Sequence, residues 1–497
     1  MTKKLFSRRL FRKNLFTVFL ALQDKKNISN DELCWAYYNL GLYKTIIKVS
    51  DFGLQCKGLA AKTISFAACG DFKKAKQTLE LFLQKNDCIS LYIRLADALI
   101  PFMPKTASRV LEKVDIPLTL QTALFLKLGK REEAHSLLAE VLKRKEYRNS
   151  PELLLYYANS TQGLRPQEQL TLLNKYLLAF KLPKLRLKSR TASLSTLNIE
   201  CNMKADIVHG PQVTIIMTTY NTGQRADVAI ASILAQRYQN LELIVVDDAS
   251  SDDTVEIVKA WSQKDKRVRL ISLEQNVGTY VAKNIALLQA KGEFVTCHDS
   301  DDWSHPLKIE KQVKPLLKSH RLVATISSWV RLSDHGEYYA RPVHPLMRQN
   351  PSSLMFRKDK VLKYAGIWDC VRTGADSEYI ARLKVIFGRK KVMRIKEPLS
   401  FGAHRDDSLM TSIDTGYCDL GVSPQRLDYW EAWGHWHIDQ TRQGKKPFIS
   451  TNMLASRAFD VPEAIEVHKA KIALLLKSLE DANKAYGGYV DSQSSWE

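Results

Sequence analysis

The residues best suited to chemistry crowd one loop: His298-Asp299-Ser300-Asp301-Asp302 holds three carboxylates. Hard oxygen donors at that spacing suit a divalent cation of the Mg²⁺ or Mn²⁺ type. A further carboxylate, Asp248, stands in the run Asp247-Asp248-Ala249-Ser250. Both groups follow apolar, β-branched stretches, so both stand where a buried strand would end. Open α/β sheets bind ligands at the carboxyl ends of their strands, and this order suits a nucleotide and a metal held there.

The elements that must position these groups can be read from the flanking sequence. Val213 to Met217 is an apolar run ending at Thr218-Thr219-Tyr220-Asn221, and it reads as a buried strand. Ile230, Ile233 and Leu234 recur at helical spacing, and Leu241 to Val246 returns as a second strand, completing one βαβ unit. Ser251-Asp252-Asp253 is placed to cap a helix running through Trp261, with Asp252 and Asp253 as cap residues and not as ligands. Val268 to Leu273 follows as a strand. Asn276-Val277-Gly278 then opens a helix carrying Ala282, Ile285, Ala286 and Gln289, and Gly292 precedes the strand Phe294 to Cys297.

Four motifs in register over these residues resemble the nucleotide-binding half of family-two, GT-A-type inverting glycosyltransferases. They are a strand ending in a Thr-x-Tyr-Asn-like turn, a strand ending in Val-Asp-Asp, an Asn-x-Gly before a helix, and an Asp-x-Asp loop. The resemblance implies an α/β fold of the GT-A nucleotide-diphospho-sugar transferase type, with a Rossmann-like mixed sheet. It further implies a nucleotide-sugar donor, a UDP-sugar first among the choices, and a Mn²⁺ or Mg²⁺ ion bridging the diphosphate.

By the same resemblance Asp301 is the direct metal ligand, and Asp299 lies beside the ribose and shares the metal site. Asp248 would accept the imide proton of uracil, while Thr218 and Tyr220 line the base pocket. Lys283 stands where the family often has Arg and faces a phosphate as a point charge. Asp302 is either a third metal-site residue or a cap for the next segment of chain. Thr218 and Asn221 would read as ordinary turn residues if Asp248 and Asp301 were absent.

Downstream, Gly366-Ile367-Trp368-Asp369 and Arg372-Thr373-Gly374-Ala375-Asp376-Ser377-Glu378 resemble the family segment in which a Glu-Asp pair opens a helix and the Asp serves as general base. Ala375 replaces the usual Glu, which leaves Asp376 in the position of the base. A single displacement needs one such carboxylate and no nucleophile. Glu378 is the fallback, with a helix-dipole role as its bland alternative. Trp368 either stacks on an acceptor sugar or packs under the loop. Further on, His404 is the family-implied third metal ligand, and Arg405 is the alternative phosphate contact. His435 and His437, beside Trp433 and Trp436, read as core or rim.

At 497 residues the chain is too long for one core. Its first part reads as all-helical. Gly70 to Ala75 and Gly129 to Ala134 share a Gly-x4-Ala spacing, with Leu79 and Phe82, or Leu138 and Val141, following each Ala at helical intervals. Ala107, Leu111 and Val114 repeat the pattern, and Gly41-Leu42-Tyr43 suggests an earlier copy. A period near thirty residues resembles tetratricopeptide-type repeats. The expected division is a helical repeat domain over 1–175, a basic linker over 176–211, the sheet domain over 212–422, and a helical extension over 423–497 packed on the sheet domain. The tail from Gly487 is expected to fray.

The net charge is +21, with an isoelectric point near 9.4. That balance suits acidic glycans, anionic membranes or nucleic acid, but no nucleic-acid module is recognisable. No apolar stretch is long enough to cross a bilayer. Lys3, Lys4, Arg8, Arg9, Arg12 and Lys13 alternate with Leu5, Phe6, Leu10, Phe11, Leu15 and Phe16, a pattern for a helix lying on anionic lipid or for a basic start to the repeats. Eight cysteines without a Cys-x-x-Cys pair suit a reducing compartment and neither a disulfide framework nor a zinc site.

The chain therefore reads as a cytoplasmic, membrane-peripheral enzyme that moves a sugar to a surface glycan or its lipid-linked precursor, with repeats free to recruit a protein partner. The rival reading is a scaffold whose sugar-nucleotide fold has lost catalysis. Intact Asp248, Asp299, Asp301 and Asp376 argue against it.

Overall fold

A computed structural model describes residues 3–22, 28–85, 88–112, 114–203, 207–405, 416–418 and 421–485. The chain divides into two compact units. A helical unit comprises Met1–Asn198, Val330–Arg348 and His404–Lys445, and a sheet unit comprises Ile199–Trp329, Gln349–Ala403 and Lys446–Glu497. The tail from Gly487 lies outside the described residues, as do parts of the amino-terminal stretch.

The helical unit is built from helix pairs such as Cys56–Ala68 with Phe72–Leu83 and Leu118–Lys127 with Arg131–Lys143. Three of its turns share one closure. Gly41, Gly70 and Gly129 adopt φ of 80°, 82° and 77°, and the next residue's amide reaches back five positions: Leu42 to Tyr37 O, Asp71 to Phe66 O, Lys130 to Phe125 O. This is the Schellman closure, which needs a left-handed residue and therefore favours glycine. The alanines that follow, Ala75 and Ala134, are fully buried, as is Ala107. Small side chains there let paired helices approach, so the Gly-x4-Ala spacing reports a turn and a contact together.

Two expectations fail in this unit. The helix Pro424–Arg442 belongs here and not on the sheet unit, which corrects the first part of the expected 423–497 extension. Its Glu431 accepts from the amides of Lys44 and Thr45 at 2.8 and 3.2 Å, and Asp428 pairs with Lys44. Carboxylates satisfy the unpaired amides at the start of helix Tyr43–Lys48, a local attraction that hydrophobic patterning does not reveal. Segment 446–485 does stay with the sheet unit, where Arg457 pairs with Asp369 at 2.6 Å. Cysteine usage also departs from expectation. Cys56 and Cys88 form a disulfide, because two packed helices bring their Cα atoms to 5.3 Å, inside the bridging window.

In the first helices, Lys3–Arg12 and Phe16–Leu22, several apolar residues turn inward. Leu10, Phe16, Phe19 and Leu20 are buried in the helical core, with Phe11 packed against it. Their hydrophobicity serves packing. Among the described residues no helix is long and apolar enough to cross a membrane.

The sheet unit holds β1 (Val213–Thr219), β2 (Leu241–Asp247), β3 (Val268–Ser272), β4 (Phe294–Cys297), β5 (Trp303–Ser304), β6 (starting at Ala324), β7 (Met355–Arg357) and β8 (starting at Val392). The strand order is β3-β2-β1-β4-β7-β6-β8-β5. β1, β2, β3 and β4 run parallel, while β7 is antiparallel to β4 and to β6. The apolar runs of β1, β2 and β4 are buried on both faces, which is why they read as continuous hydrophobic stretches, while β3 is only partly buried. Chain order reverses around β1, flanked by β2 and β4, so the crevice at their carboxyl ends is a topological switch point.

Candidate active site

Two loops crown that crevice, and side chains tie them down. At the end of β1, Asn221 takes a left-handed φ of 50°. Its amide donates to Ser250 Oγ at 2.9 Å, and its Oδ1 accepts from the Ser251 amide at 2.8 Å. Asp247 folds the loop after β2 by accepting from the Ser250 amide at 3.0 Å. Asp252 accepts from the Thr254 amide at 3.1 Å, the helix-start role expected of it; Asp253 makes no such capping bond.

Asp248 is buried, and its two oxygens accept from the amides of Val277 and Gly278, both at 2.7 Å. The carboxylate thus builds the Asn-x-Gly loop as well as facing the crevice, a structural duty that the base-binding expectation omitted. Gly278 has φ 82° and permits that close approach. Burial pushes the Asp248 carboxyl up to about 6, against the opposing pull of the two amides and of Arg372. Thr218 Oγ1 lies 2.7 Å from Thr279 Oγ1, and Tyr220 is 50% exposed beside them in sequence, open to a stacking partner.

The carboxylate loop after β4 rests on polar groups that are themselves buried. Lys308 Nζ lies 3.3 Å from His298 Nδ1 and 3.5 Å from Cys297 O, while His298 Nε2 lies 3.2 Å from Asp302 O. A lysine donating to Nδ1 requires a neutral imidazole with its proton on Nε2. Burial, with the Lys308 charge second, holds the His298 pKa well below its usual value and so agrees with that tautomer. Burial also lowers Lys308 to about 8, with Asp302 and Asp299 pulling the other way. Asp302 Oδ1 accepts from the Ala403 amide at 3.1 Å, and Asp299 Oδ2 accepts from Ser352 Oγ at 2.7 Å. The Asp302 bond reaches a residue 101 positions on and is not a cap for the segment that follows it. Asp301 and Asp299 are the half-exposed members of the loop.

Asp376 begins the helix Ala375–Phe387, behind Gly374 at φ 90°. Its carboxylate is 16% exposed and lies 3.3 Å from Lys283 Nζ, with Tyr280 OH donating to it at 3.1 Å. Lys283 was expected to face phosphate. It faces Asp376 instead, because Tyr280 and Lys283 sit three positions apart on one helix face. Burial opposes the lysine's charge, but Asp376 foremost, with Asp299 also contributing, holds its pKa above the usual lysine value.

Two alternatives fall away. Glu378 is fully buried, bonded to Arg382 at 3.0 and 2.8 Å, and so cannot meet an acceptor as base. Trp368 is buried against Tyr379, with ring centroids 4.7 Å apart, and is not an acceptor platform. His404 groups with the helical unit, its ring stacked on Tyr339 at 3.6 Å. Among the described residues no three His, Cys, Asp or Glu side chains are grouped so as to hold a metal by themselves.

Sequence reasoning missed Tyr280, Lys308 and Ser352. Only Lys308 left a trace: it shares a helical stripe with Gln312 and Leu316, so a charged residue lies on an inward face.

Comparison with known proteins agrees with this geometry. Residues 214–375 match the family model described as glycosyl transferase family 2. An uncharacterized glycosyltransferase of Haemophilus influenzae is 41% identical over 128 residues, 26% of this chain and 47% of that protein. The Streptococcus pneumoniae glycosyltransferase GlyG is 42% identical over 18% of this chain and 30% of its own length. The putative teichuronic acid biosynthesis glycosyltransferase TuaG of Bacillus subtilis is 36% identical over 22% and 43%. The chain thus spans less than half the length of these relatives. Among solved structures, S. aureus TarS with UDP-GlcNAc aligns over 55% of this chain and 73% of that one, at 18% identity and a TM-score of 0.36. A mannosyltransferase from Pyrobaculum calidifontis with GDP-Man and Mn²⁺ aligns over 56% and 84%, at 19% and 0.33. Likeness at that level fixes no ligand. The sheet unit is a mixed α/β sheet whose residues 214–375 match the glycosyl transferase family 2 model, preceded in the chain by a helical region.

Proposed function

We propose, from the match of residues 214–375 to the glycosyl transferase family 2 model, that the chain is an inverting glycosyltransferase. It would move a sugar from a nucleotide donor, a UDP-sugar first, to a surface glycan or its lipid-linked precursor. The observation that carries the reading is Asp376, a partly exposed carboxylate steadied by Lys283 and Tyr280. Lys283 lies against Asp376, and its pKa is raised by Asp376 first and Asp299 after it.

In this reading Tyr220 and Thr218 line the base pocket, and Asp248 holds the Asn276-Val277-Gly278 loop against the nucleotide. Asp376 takes the proton from the acceptor hydroxyl as it attacks the anomeric carbon from the face opposite the nucleotide. The Lys283 and Tyr280 contacts hold that carboxylate in place, and general-base catalysis requires a positioned proton acceptor.

Asp299 and Asp301 are hard oxygen donors and fit a divalent cation held by one or two carboxylates plus substrate phosphates. A protein cage of three ligands is not needed for that mode. A bound Mn²⁺ or Mg²⁺ would neutralise charge developing on the departing nucleoside diphosphate.

The test is donor hydrolysis across a set of nucleotide sugars, with Mn²⁺ and with excess chelator, for the parent protein and Asp301→Ala. Turnover of one donor, lost in chelator and in the variant while the melting curve is unchanged, is expected. Full turnover in chelator would remove the metal. No turnover or binding of any donor would leave the scaffold reading in its place.

A further inference from the structure

Charge is distributed unevenly along the chain. Residues 1–198 hold 34 Lys and Arg against 16 Asp and Glu, so they carry +18 of the total +21. The remaining 299 residues are close to neutral. The helical unit also contains a cavity of about 240 Å³, whose lining combines apolar residues such as Leu126 and Leu346 with Lys127, Asn159, Tyr338 and Arg341. Tyr338 is 3% exposed, and its hydroxyl has no hydrogen-bond partner. A buried donor without a partner costs about 1–3 kcal/mol, so such a group lining a cavity points to a ligand that accepts from it. Asn159 fixes the wall: its Oδ1 accepts from the Tyr338 amide at 2.9 Å and its Nδ2 donates to Tyr338 O at 2.7 Å.

We propose that this cavity holds an acidic sugar residue of the acceptor glycan, with Lys127 and Arg341 facing its carboxylate and the Tyr338 hydroxyl donating to a ring or hydroxyl oxygen. The +18 of the surrounding sequence then draws an anionic polymer toward the unit. The word acceptor rests on the transferase reading; the binding chemistry does not. A lipid surface is disfavoured because Leu10, Phe16, Phe19 and Leu20 of the first two helices are buried in the helical core. Single-stranded nucleic acid is disfavoured because Tyr156 and Tyr338 are buried and Tyr339 is stacked on His404, which leaves poor platforms for bases.

The experiment titrates the full chain with oligogalacturonate, dextran, acidic phospholipid vesicles and single-stranded DNA at low and physiological salt. Oligogalacturonate should bind at least tenfold more tightly than dextran, and more weakly as salt rises. Lys127→Ala with Arg341→Ala should lose about tenfold in oligogalacturonate affinity, and Tyr338→Phe several-fold, with melting curves and acceptor-free donor hydrolysis unchanged. Equal binding of dextran, parent-like binding by both variants, or tighter binding of vesicles or DNA than of oligogalacturonate would overturn the proposal. Because donor hydrolysis is read separately, a chain that binds oligogalacturonate but turns over no donor would sink the transferase reading and spare this one.

Discussion

The two units put their ionisable groups in opposite places. In the sheet unit Asp247, Asp248, Lys283, His298, Asp302, Lys308, Glu378 and Arg382 are all buried. In the helical unit, despite its much higher charge, few ionisable side chains are buried, Lys62, Arg426 and His437 among them. Buried charge is costly unless it is paired and hydrogen-bonded, so its concentration beneath the carboxylate loops marks where geometry was kept at the expense of stability. Charge left in water costs little and acts at a distance. One unit uses electrostatics to hold atoms still, and the other to set a field.

Four experiments can break or sharpen that contrast. Asp376→Asn should retain donor binding and lose about two to four orders of magnitude in transfer rate, the usual size of a general-base contribution. Single-turnover kinetics with donor and acceptor would show it, and parent-like turnover would end the assignment of the base. Glu378→Gln should leave catalytic roles alone but destabilise the fold by about 3–5 kcal/mol, because Arg382 is then a buried cation without its carboxylate. Denaturant unfolding measures this; a stable but inactive Glu378→Gln would return Glu378 to candidacy as base.

The helical unit should instead be sensitive to volume. Ala134→Leu inserts bulk where two helices meet and is expected to cost about 1–3 kcal/mol, read as a lowered unfolding midpoint with donor hydrolysis intact. The smallest effect concerns Asp248. Its carboxyl is raised to about 6, so it is protonated below that pH and its bonds to the Val277 and Gly278 amides lose their charge assistance. Donor affinity should therefore fall about tenfold as pH drops through about 6, the worth of roughly one charged hydrogen bond. In Asp248→Asn the profile should be flat, and a parent profile that is equally flat would uncouple this loop from donor binding.

The same contrast governs what could be read in advance. The parallel strands were legible, because a run such as Ile215 to Met217 is buried on both faces and has no competing explanation. The helix turns were legible through Gly70 and Gly129, since a left-handed closure restricts the residue type. Illegible were the pairings between distant segments: Lys283 with Asp376, Glu431 with the amides of Lys44 and Thr45, Cys56 with Cys88. Glu378 and Arg382 were within reach, four positions apart on a helix, yet their burial was not, because an ion pair in solvent has the same spacing. Asp376 is proposed as base by resemblance, and its contacts with Lys283 and Tyr280 leave no trace in the sequence.

The helical unit takes in segments far down the chain, Val330–Arg348 and His404–Lys445. During synthesis its first 198 residues leave the ribosome long before helix Pro424–Arg442 exists to meet Lys44 and Thr45. At about 5–20 residues per second that delay is on the order of ten seconds to a minute. Throughout it, the nascent helices carry their positive charge with one wall missing, beside an equally unfinished sheet. The unit made first is completed among the last, so chaperone dependence should be greatest while residues 200 to 445 are being translated.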